Sequence, residues 1–428
     1  MTVAILFGSF FLLLAIGVPI GIALGTASLL AIAWIPFLNF DLYALGLVSG
    51  IDSFTLIAVV LFTLAGSIMA QGGISRRLIA VAESFFGGAP GDLGTVTIMA
   101  CLFFAAISGT GSATVAAIGL AMIPALTARG YDRAYSCAMV ASAGSLGVMI
   151  PPSVVMIVYA VSAQVSVTAL FLAGVIPGIA IALALIAYNA WTRRGAPAVR
   201  PTGPRRSRLA ILNEAKAALL MPVVVLGGIY GGIVTPTESS AVAVVYALAV
   251  SVFIYRELPL RDVPKMMLES ALLVSAVLVI IGASVAFGRI IALEQLPQAL
   301  AAAVTDLTQN RYIVLIAAIV LLLIVGTFLE TLAAIVILTP VLLPIVTVLG
   351  IDPVHFGIVM IVSLAIGFVT PPLGANLFMA AQVGGIPFDA IVRRIFPWIV
   401  TMIVALLLIA AWPALSLILP RLFLGYAG

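Results

Sequence analysis

Continuous apolar runs dominate this 428-residue chain. Several exceed the ~20 residues that an α-helix needs to cross roughly 30 Å of hydrocarbon. In lipid every backbone N–H and C=O must be satisfied within the protein, which leaves helices and closed barrels as spanning structures. A barrel would divide the runs into alternating segments of about ten residues, and these runs are longer and unbroken. Charged residues make up 8% of the chain and hydrophobic ones 64%, with a mean hydropathy of +1.34. A soluble domain carries about 25% charge. This chain cannot cover its own surface in water, so an all-α polytopic membrane protein is expected.

Several function classes fall away on the same grounds. A formal charge of +4 in a membrane protein concerns the placement of basic residues, not nucleic-acid affinity. Cys101 and Cys137 lie in apolar segments without metal-ligand spacing and read as small buried hydrophobes. The single histidine, His355, sits beside a turn at Asp352, so no nucleophile–base pair at one depth supports an intramembrane enzyme. There is no phosphate-binding Gly-x-x-x-x-Gly-Lys-Ser/Thr loop for ATP. The N-terminus lacks a charged n-region and a cleavage site, so its first apolar run is expected to stay.

Crossings are expected at 3–34 (one helix kinked at Gly17-Val18-Pro19), 47–70, 131–162, 168–191, 217–233, 237–255, 266–288, 354–381 and 394–419. The stretches 93–128 and 311–349 are each interrupted by a short polar or Gly-rich patch and read as hairpins that return to the face they entered. Segments 75–90 and 289–306 read as interfacial connectors. Nine crossings put the termini on opposite faces. With the N-terminus inside, sixteen basic residues lie inside and only Arg289, Arg311 and Arg421 outside. The chain then divides into scaffold helices and connector (1–90), a first repeat (91–191), a basic cytoplasmic linker (192–216, with Pro197, Pro201 and Pro204), a second scaffold and connector (217–306), and a second repeat with the C-terminal helix (307–428).

A shift of 220 residues brings Pro124, Thr127, Gly130 and Asp132 onto Pro344, Thr347, Gly350 and Asp352, and Gly147, Pro151 and Pro152 onto Gly367, Pro371 and Pro372. Each half therefore carries a hairpin, a Gly-x-Asp turn and a helix broken at Pro-Pro. The charge-based layout opens the first hairpin to the cytoplasm and the second to the outside, so the copies are inverted. Inverted repeats with broken helices mark secondary transporters with a site near the midplane.

The chemistry-bearing residues sit at these interruptions. The first tip, Ser108-Gly109-Thr110-Gly111-Ser112-Ala113-Thr114, offers four hydroxyls and a pliable backbone for a hard cation or a carboxylate. In the second, Gly326-Thr327-Phe328-Leu329-Glu330-Thr331, the carboxylate of Glu330 could relay protons, hold a cation or cap the following helix. Paired prolines remove amide donors and free carbonyl acceptors, and the restarted helix presents an N-terminus to an anion. Thr235-Pro236-Thr237-Glu238 has the spacing of a capping box, and Asp132 and Asp352 the position of caps.

Three motifs, the Gly109–Thr114 tip, Gly232-Ile233-Val234-Thr235-Pro236-Thr237-Glu238, and Gly367-Phe368-Val369-Thr370-Pro371-Pro372-Leu373-Gly374-Ala375-Asn376-Leu377, together resemble the large membrane subunit of tripartite ATP-independent periplasmic (TRAP) transporters. The resemblance covers essentially the whole chain. It implies a bacterial inner-membrane, sodium-coupled importer of organic acids with an elevator motion. It also implies a separate small four-helix membrane subunit and a periplasmic substrate-binding protein. Carried onto this chain, one sodium site would use Gly326, Gly367, Thr370 and Leu373, and its counterpart Ser108, Gly147, Ile150 and Ser153. The organic acid would lie near Thr110, Ser112, Ser153, Thr331 and Asn376. C4-dicarboxylates, sialic acids and other organic acids all suit such a scaffold. The competing reading is a self-sufficient sodium- or proton-coupled carboxylate transporter of similar architecture that needs no binding protein.

Overall fold

The computed structural model describes residues 1–35, 38–86, 92–194 and 207–427. Residues 195–206 of the expected linker, with its prolines and Arg200, Arg205 and Arg206, lie outside the described residues. The helices begin with α1 (Thr2–Ala15), α2 (Ile20–Trp34), α3 (Asp41–Ile51), α4 (Phe54–Gln71) and the amphipathic α5 (Ile74–Phe86). The first hairpin is α6 (Asp92–Ser108) and α7 (Gly111–Ala128). The first broken helix is α8 (Arg133–Gly144), α9 (Leu146–Met149) and α10 (Val154–Ala163), and α11 (Val167–Thr192) follows. The second half comprises α12 (Arg208–Tyr230), α13 (Pro236–Leu248, continued as a π-helix to Ile254), α14 (Val263–Leu293) and α15 (Leu296–Leu307). It closes with the hairpin α16 (Arg311–Phe328) and α17 (Thr331–Val348), the broken helix α18 (Pro353–Gly367) and α19 (Ala375–Gly384), then α20 (Phe388–Ala411) and α21 (Ala414–Leu424).

The 220-residue shift holds at the level of backbone. α7 maps onto α17 residue for residue, and the helices before and after each tip end and restart in register. Gly130 and Gly350 both take positive φ, 79° and 73°. Asp132 accepts the Tyr135 N–H at 2.8 Å, and Asp352 those of Val354 and His355 at 2.8 and 3.0 Å, so both are the expected caps. The inversion is visible where the broken helices meet. The end of α19 lies on the start of α8, where a side chain at Gly384 would meet Cys137, and the end of α10 lies on the start of α18, where one at Gly357 would meet the Tyr159 ring. The Tyr159 hydroxyl also donates to the Pro353 carbonyl at 2.7 Å. The two broken helices therefore run antiparallel through one buried core, with α7 packed on α19 and α17 on α10.

The scaffold repeats the pattern: α13 packs on α4 as α2 packs on α14. Here the structure corrects the sequence reading. Residues 3–34 are not one kinked helix. Gly17, at φ 84°, turns the chain, and α1 packs along α2 with Leu6 and Phe10 in the same apolar cluster as Ala23, Leu24, Ala27 and Ala31. A hairpin returns the chain to the face where it began. Other boundaries move less. Residues 208–216, expected as linker, already belong to α12, the crossing expected to end at 288 continues to Leu293, and Trp412-Pro413 separates α21 from α20.

The broken crossing α3–α4 lies antiparallel to α14, held by small residues. A methyl at Gly46 would stand 2.8 Å from Ala286 Cβ and 2.9 Å from its Cα, and one at Gly50 3.0 Å from Gly282 Cα. Each helix thus offers two small residues four apart, the spacing that lets membrane helices approach backbone to backbone. Gly46→Leu should force them apart at a cost of about 1–3 kcal/mol. It should lower the midpoint of thermal unfolding of the detergent-purified protein. Gly8→Ala, with nothing within 4 Å of its added methyl, should leave the midpoint unchanged. Equal midpoints for Gly46→Leu and wild type would show that this contact is not close packing.

Candidate functional site

The first hairpin tip is set against the first break by backbone contacts that only glycine permits. Gly109 takes φ 66°, and its carbonyl accepts the Val154 N–H at 3.4 Å, so the tip meets the start of α10. Opposite it, a side chain at Gly147 would collide with the Thr110 carbonyl and stand 2.6 Å from Thr114 Oγ1. Three oxygens gather in this gap. Thr114 Oγ1 donates to the Thr110 carbonyl at 2.9 Å and lies 2.9 Å from Ser108 Oγ, which is itself 3.4 Å from the same carbonyl. Ser108 and Thr114 are buried, at 2% and 0% exposure. The result is a buried cluster of hydroxyl and carbonyl oxygens without a formal charge.

Ser153 closes the break. Its hydroxyl donates to the Val148 carbonyl at 2.8 Å and caps α10 by accepting the Met156 N–H at 3.4 Å. One free carbonyl of the break is thereby satisfied, and a remaining lone pair on Ser153 is available to a ligand. Ile150 contributes its backbone to the same turn, while its side chain points to Gly178. Ser108, Thr110, Gly147 and Ser153 are therefore gathered around one tip, joined by Thr114.

The second repeat is built differently. Gly326 and Gly367 cross backbone to backbone, and a methyl on Gly367 would stand 2.6 Å from Gly326 Cα. Thr370 Oγ1 donates to the Ile366 carbonyl at 2.7 Å, and its own N–H donates to Gly367 at 2.9 Å. Its hydroxyl keeps its lone pairs and is half-buried at the break. Leu373 has an exposed side chain, so only its carbonyl could take part. Glu330 stands at the cap position of α17, but its carboxylate makes no capping bond. The capping role weighed for it is absent. By contrast the Thr235–Glu238 capping box is complete, with both reciprocal hydrogen bonds in place.

Asn376, fully buried at the restart of the second broken helix, reaches into the first repeat. Its Nδ2 donates to Ser145 Oγ at 3.3 Å and to the Ala141 carbonyl at 3.4 Å, and Gly111 of the first tip lies against the same amide. Its Oδ1 is buried without a hydrogen-bond partner among the described residues, an acceptor that demands a donor. Ser112 flanks this point on the first turn of α7. Thr331, buried at the second tip, has no hydrogen bond to Thr110, Ser112 or Asn376 among the described residues. Sequence reading missed Ser145, whose role follows only from the antiparallel crossing of two helices 231 positions apart. It underweighted Thr114, which sits one helical turn after Thr110 and so shares its face.

Comparison with known proteins follows the same outline. Residues 7–415 match the family model of the tripartite ATP-independent periplasmic transporter, DctM component. The isethionate TRAP transporter permease protein DctMQ of Oleidesulfovibrio alaskensis is 46% identical over 423 residues, 98% of this chain, which spans 66% of that longer protein. The C4-dicarboxylate TRAP transporter large permease protein DctM of Pseudomonas aeruginosa is 42% identical over 372 residues, 86% of this chain and 87% of that one. The sialic acid TRAP transporter large permease protein SiaM of Vibrio cholerae is 38% identical over 416 residues, 97% of both. Among solved structures, the Alcanivorax borkumensis YdaH transporter superposes with a TM-score of 0.67 over 92% of this chain and 96% of its own, at 15% identity, a likeness of fold alone. On this match of nearly the whole chain, the protein belongs to the DctM component family of TRAP transporters: it is a large permease, a multi-pass membrane protein and not an enzyme.

Proposed function

We propose that this chain forms the transport pathway of a TRAP system that imports an organic acid across the bacterial inner membrane, driven by sodium. It would work with a small four-helix membrane subunit and a periplasmic substrate-binding protein, by an elevator motion. The observation that supports this reading most is the pairing of a hairpin tip with a broken helix in each repeat, around uncharged oxygens, with the unpaired Asn376 Oδ1 between them. One sodium ion is assigned to Ser108, Gly147, Ile150 and Ser153, with Thr114 added. The second is assigned to Gly326, Gly367, Thr370 and the carbonyl of Leu373. The acid is assigned to Thr110, Ser112, Ser153, Thr331 and Asn376. None of these side chains is charged, so the negative charge of an acid has to be offset by bound cations and helix N-termini. Relatives named for isethionate, C4-dicarboxylate and sialic acid share the acidic group and little else. That common group is the substrate class proposed here.

Sidedness is part of the reading. The described helices after residue 38 make eight crossings, counting each broken helix once. The α1–α2 hairpin adds no net crossing, so both termini fall on one face. The basic majority supports an outside location for that face, a reading proposed in place of the cytoplasmic N-terminus of the sequence analysis. Reporters fused before Met1 and after Gly428 should both read as periplasmic, and one inserted at 200–206 as cytoplasmic. Reporters on opposite faces at the two ends would restore the single kinked crossing.

Coupling is tested by uptake into proteoliposomes containing the partner subunits. Uptake should follow an imposed sodium gradient, ignore added ATP and require the binding protein. Uptake without the binding protein would favour the self-sufficient reading. Thr370→Ala removes one hydroxyl ligand, and leaving one partner unmet costs about 1–3 kcal/mol, or roughly a 5- to 150-fold higher sodium requirement. Ser153→Ala should shift the same curve. Wild-type sodium curves for both variants would make these hydroxyls packing groups and the sodium assignment wrong.

A further inference from the structure

In the sidedness proposed above, Arg289, Arg311 and Arg421 among the described residues lie on the face opposite the basic majority, where an arginine needs a specific reason to stand. Arg289 has one, since its guanidinium donates to Ser49 Oγ at 2.7 Å. The other two, Arg311 at the start of α16 and Arg421 on α21, converge on a single cleft of about 210 Å³ at the turn between α17 and α18. Neither forms an ion pair within 4.0 Å among the described residues. Arg311 stacks on its neighbour Tyr312, 4.9 Å from the ring centre, and donates to that hydroxyl at 3.0 Å. The acidic group on the cleft, Asp352, is already committed: one oxygen caps α18 and the other accepts the Tyr426 hydroxyl at 3.1 Å.

Two guanidinium groups and one carboxylate leave the cleft with one net positive charge. The guanidinium fork matches a phosphate oxygen pair and is weakly hydrated, which suits an interfacial site. Below the rim Leu315 and Leu417 are buried at 4% and 3% exposure, beside the buried imidazole of His355. Beside the cleft, Ile313, Ile316, Val320 and Ile324 of α16 form an outward stripe at helical spacing, each at least half exposed. A polar pocket for one anion, opening onto an apolar track along the same helix, has the shape of a lipid rather than of a soluble ion.

We propose that this cleft binds the headgroup phosphate of an anionic phospholipid in the adjacent leaflet, with Arg311 and Arg421 on the phosphodiester and an acyl chain along α16. The site is separate from the transport pathway and does not depend on what the protein carries. Native mass spectrometry of the detergent-purified full chain tests it, with phosphatidylglycerol, phosphatidylethanolamine and soluble glycerol phosphate as probes. Wild type should retain phosphatidylglycerol at least fivefold better than phosphatidylethanolamine, and millimolar glycerol phosphate should not displace it. The pair Arg311→Gln/Arg421→Gln should lose one tightly held phosphatidylglycerol, and Arg289→Gln should lose none. Should the double variant fail to fold, each single Gln variant should still weaken retention at least threefold. Equal retention by the variants, or equal retention of the two lipids, overturns the proposal. Displacement by glycerol phosphate overturns the lipid as occupant.

Discussion

Two helices broken in the middle of a membrane leave backbone groups that lipid cannot satisfy, and the rest of this fold is arranged around them. At the first break the freed Val148 carbonyl is taken by Ser153, and the restarting Val154 N–H finds Gly109 of the hairpin tip. At the second, Thr370 returns to Ile366, and the Asn376 N–H reaches the Phe368 carbonyl at 3.2 Å. Three of these bonds close within the broken helices themselves, and the Val154 N–H takes its partner from the hairpin. The first hairpin therefore reaches the depth of its break, and the two broken helices lie together in one buried core where each is shielded by the other repeat. Glycines at 109, 147, 326 and 367 are where this enclosure brings backbone onto backbone.

How much of this was legible in the sequence depended on whether the signal was local. Punctuation was local: Gly-x-Asp turns, Pro-Pro pairs, the capping box and the two tips are written in consecutive residues, and the structure places helix ends at each of them. Hydropathy located the crossings for the same reason. It failed at residues 3–34, because a window of apolar residues reads the same for one long tilted helix as for two short ones side by side. The difference lies in Gly17, whose positive φ lets the chain turn back, and one glycine in an apolar run does not announce a hairpin. Ser145 and the Gly46–Ala286 contact were hidden for another reason. Each acquires its role from a partner more than two hundred positions away, and no periodicity within one helix encodes that.

The two repeats are symmetric in path and unequal in chemistry. The shift that superposes them places Thr110 on Glu330, Gly109 on Leu329 and Ser108 on Phe328. The first tip is thus a compact group of hydroxyls buried against α4, where a methyl on Gly66 would stand 3.1 Å from the Ser108 carbonyl. The second tip carries bulk and a carboxylate. Its Phe328 is 59% exposed, and Glu330 bonds to nothing that would fix it as a cap. Equivalent backbones with unequal tips assign the closed, oxygen-lined environment to the first repeat. They leave the second with an exposed aromatic ring and a carboxylate that makes no capping bond.

The absence of charge among the assigned site residues bears on coupling in the proposed cycle. A carboxylate entering a buried site without arginine or lysine is costly, and so is a sodium ion there without a carboxylate ligand. Together they offset one another: unit charges about 4 Å apart attract by roughly 4 kcal/mol at the effective dielectric of a partly buried protein site. Whichever binds first therefore raises the affinity for the other, and the enhancement is reciprocal by thermodynamic necessity. A permanently cationic site would already hold its anion and would lose this dependence. Uncharged hydroxyls, carbonyls and one amide, held by glycine-mediated contacts, are thus a means of making acid and ion bind together.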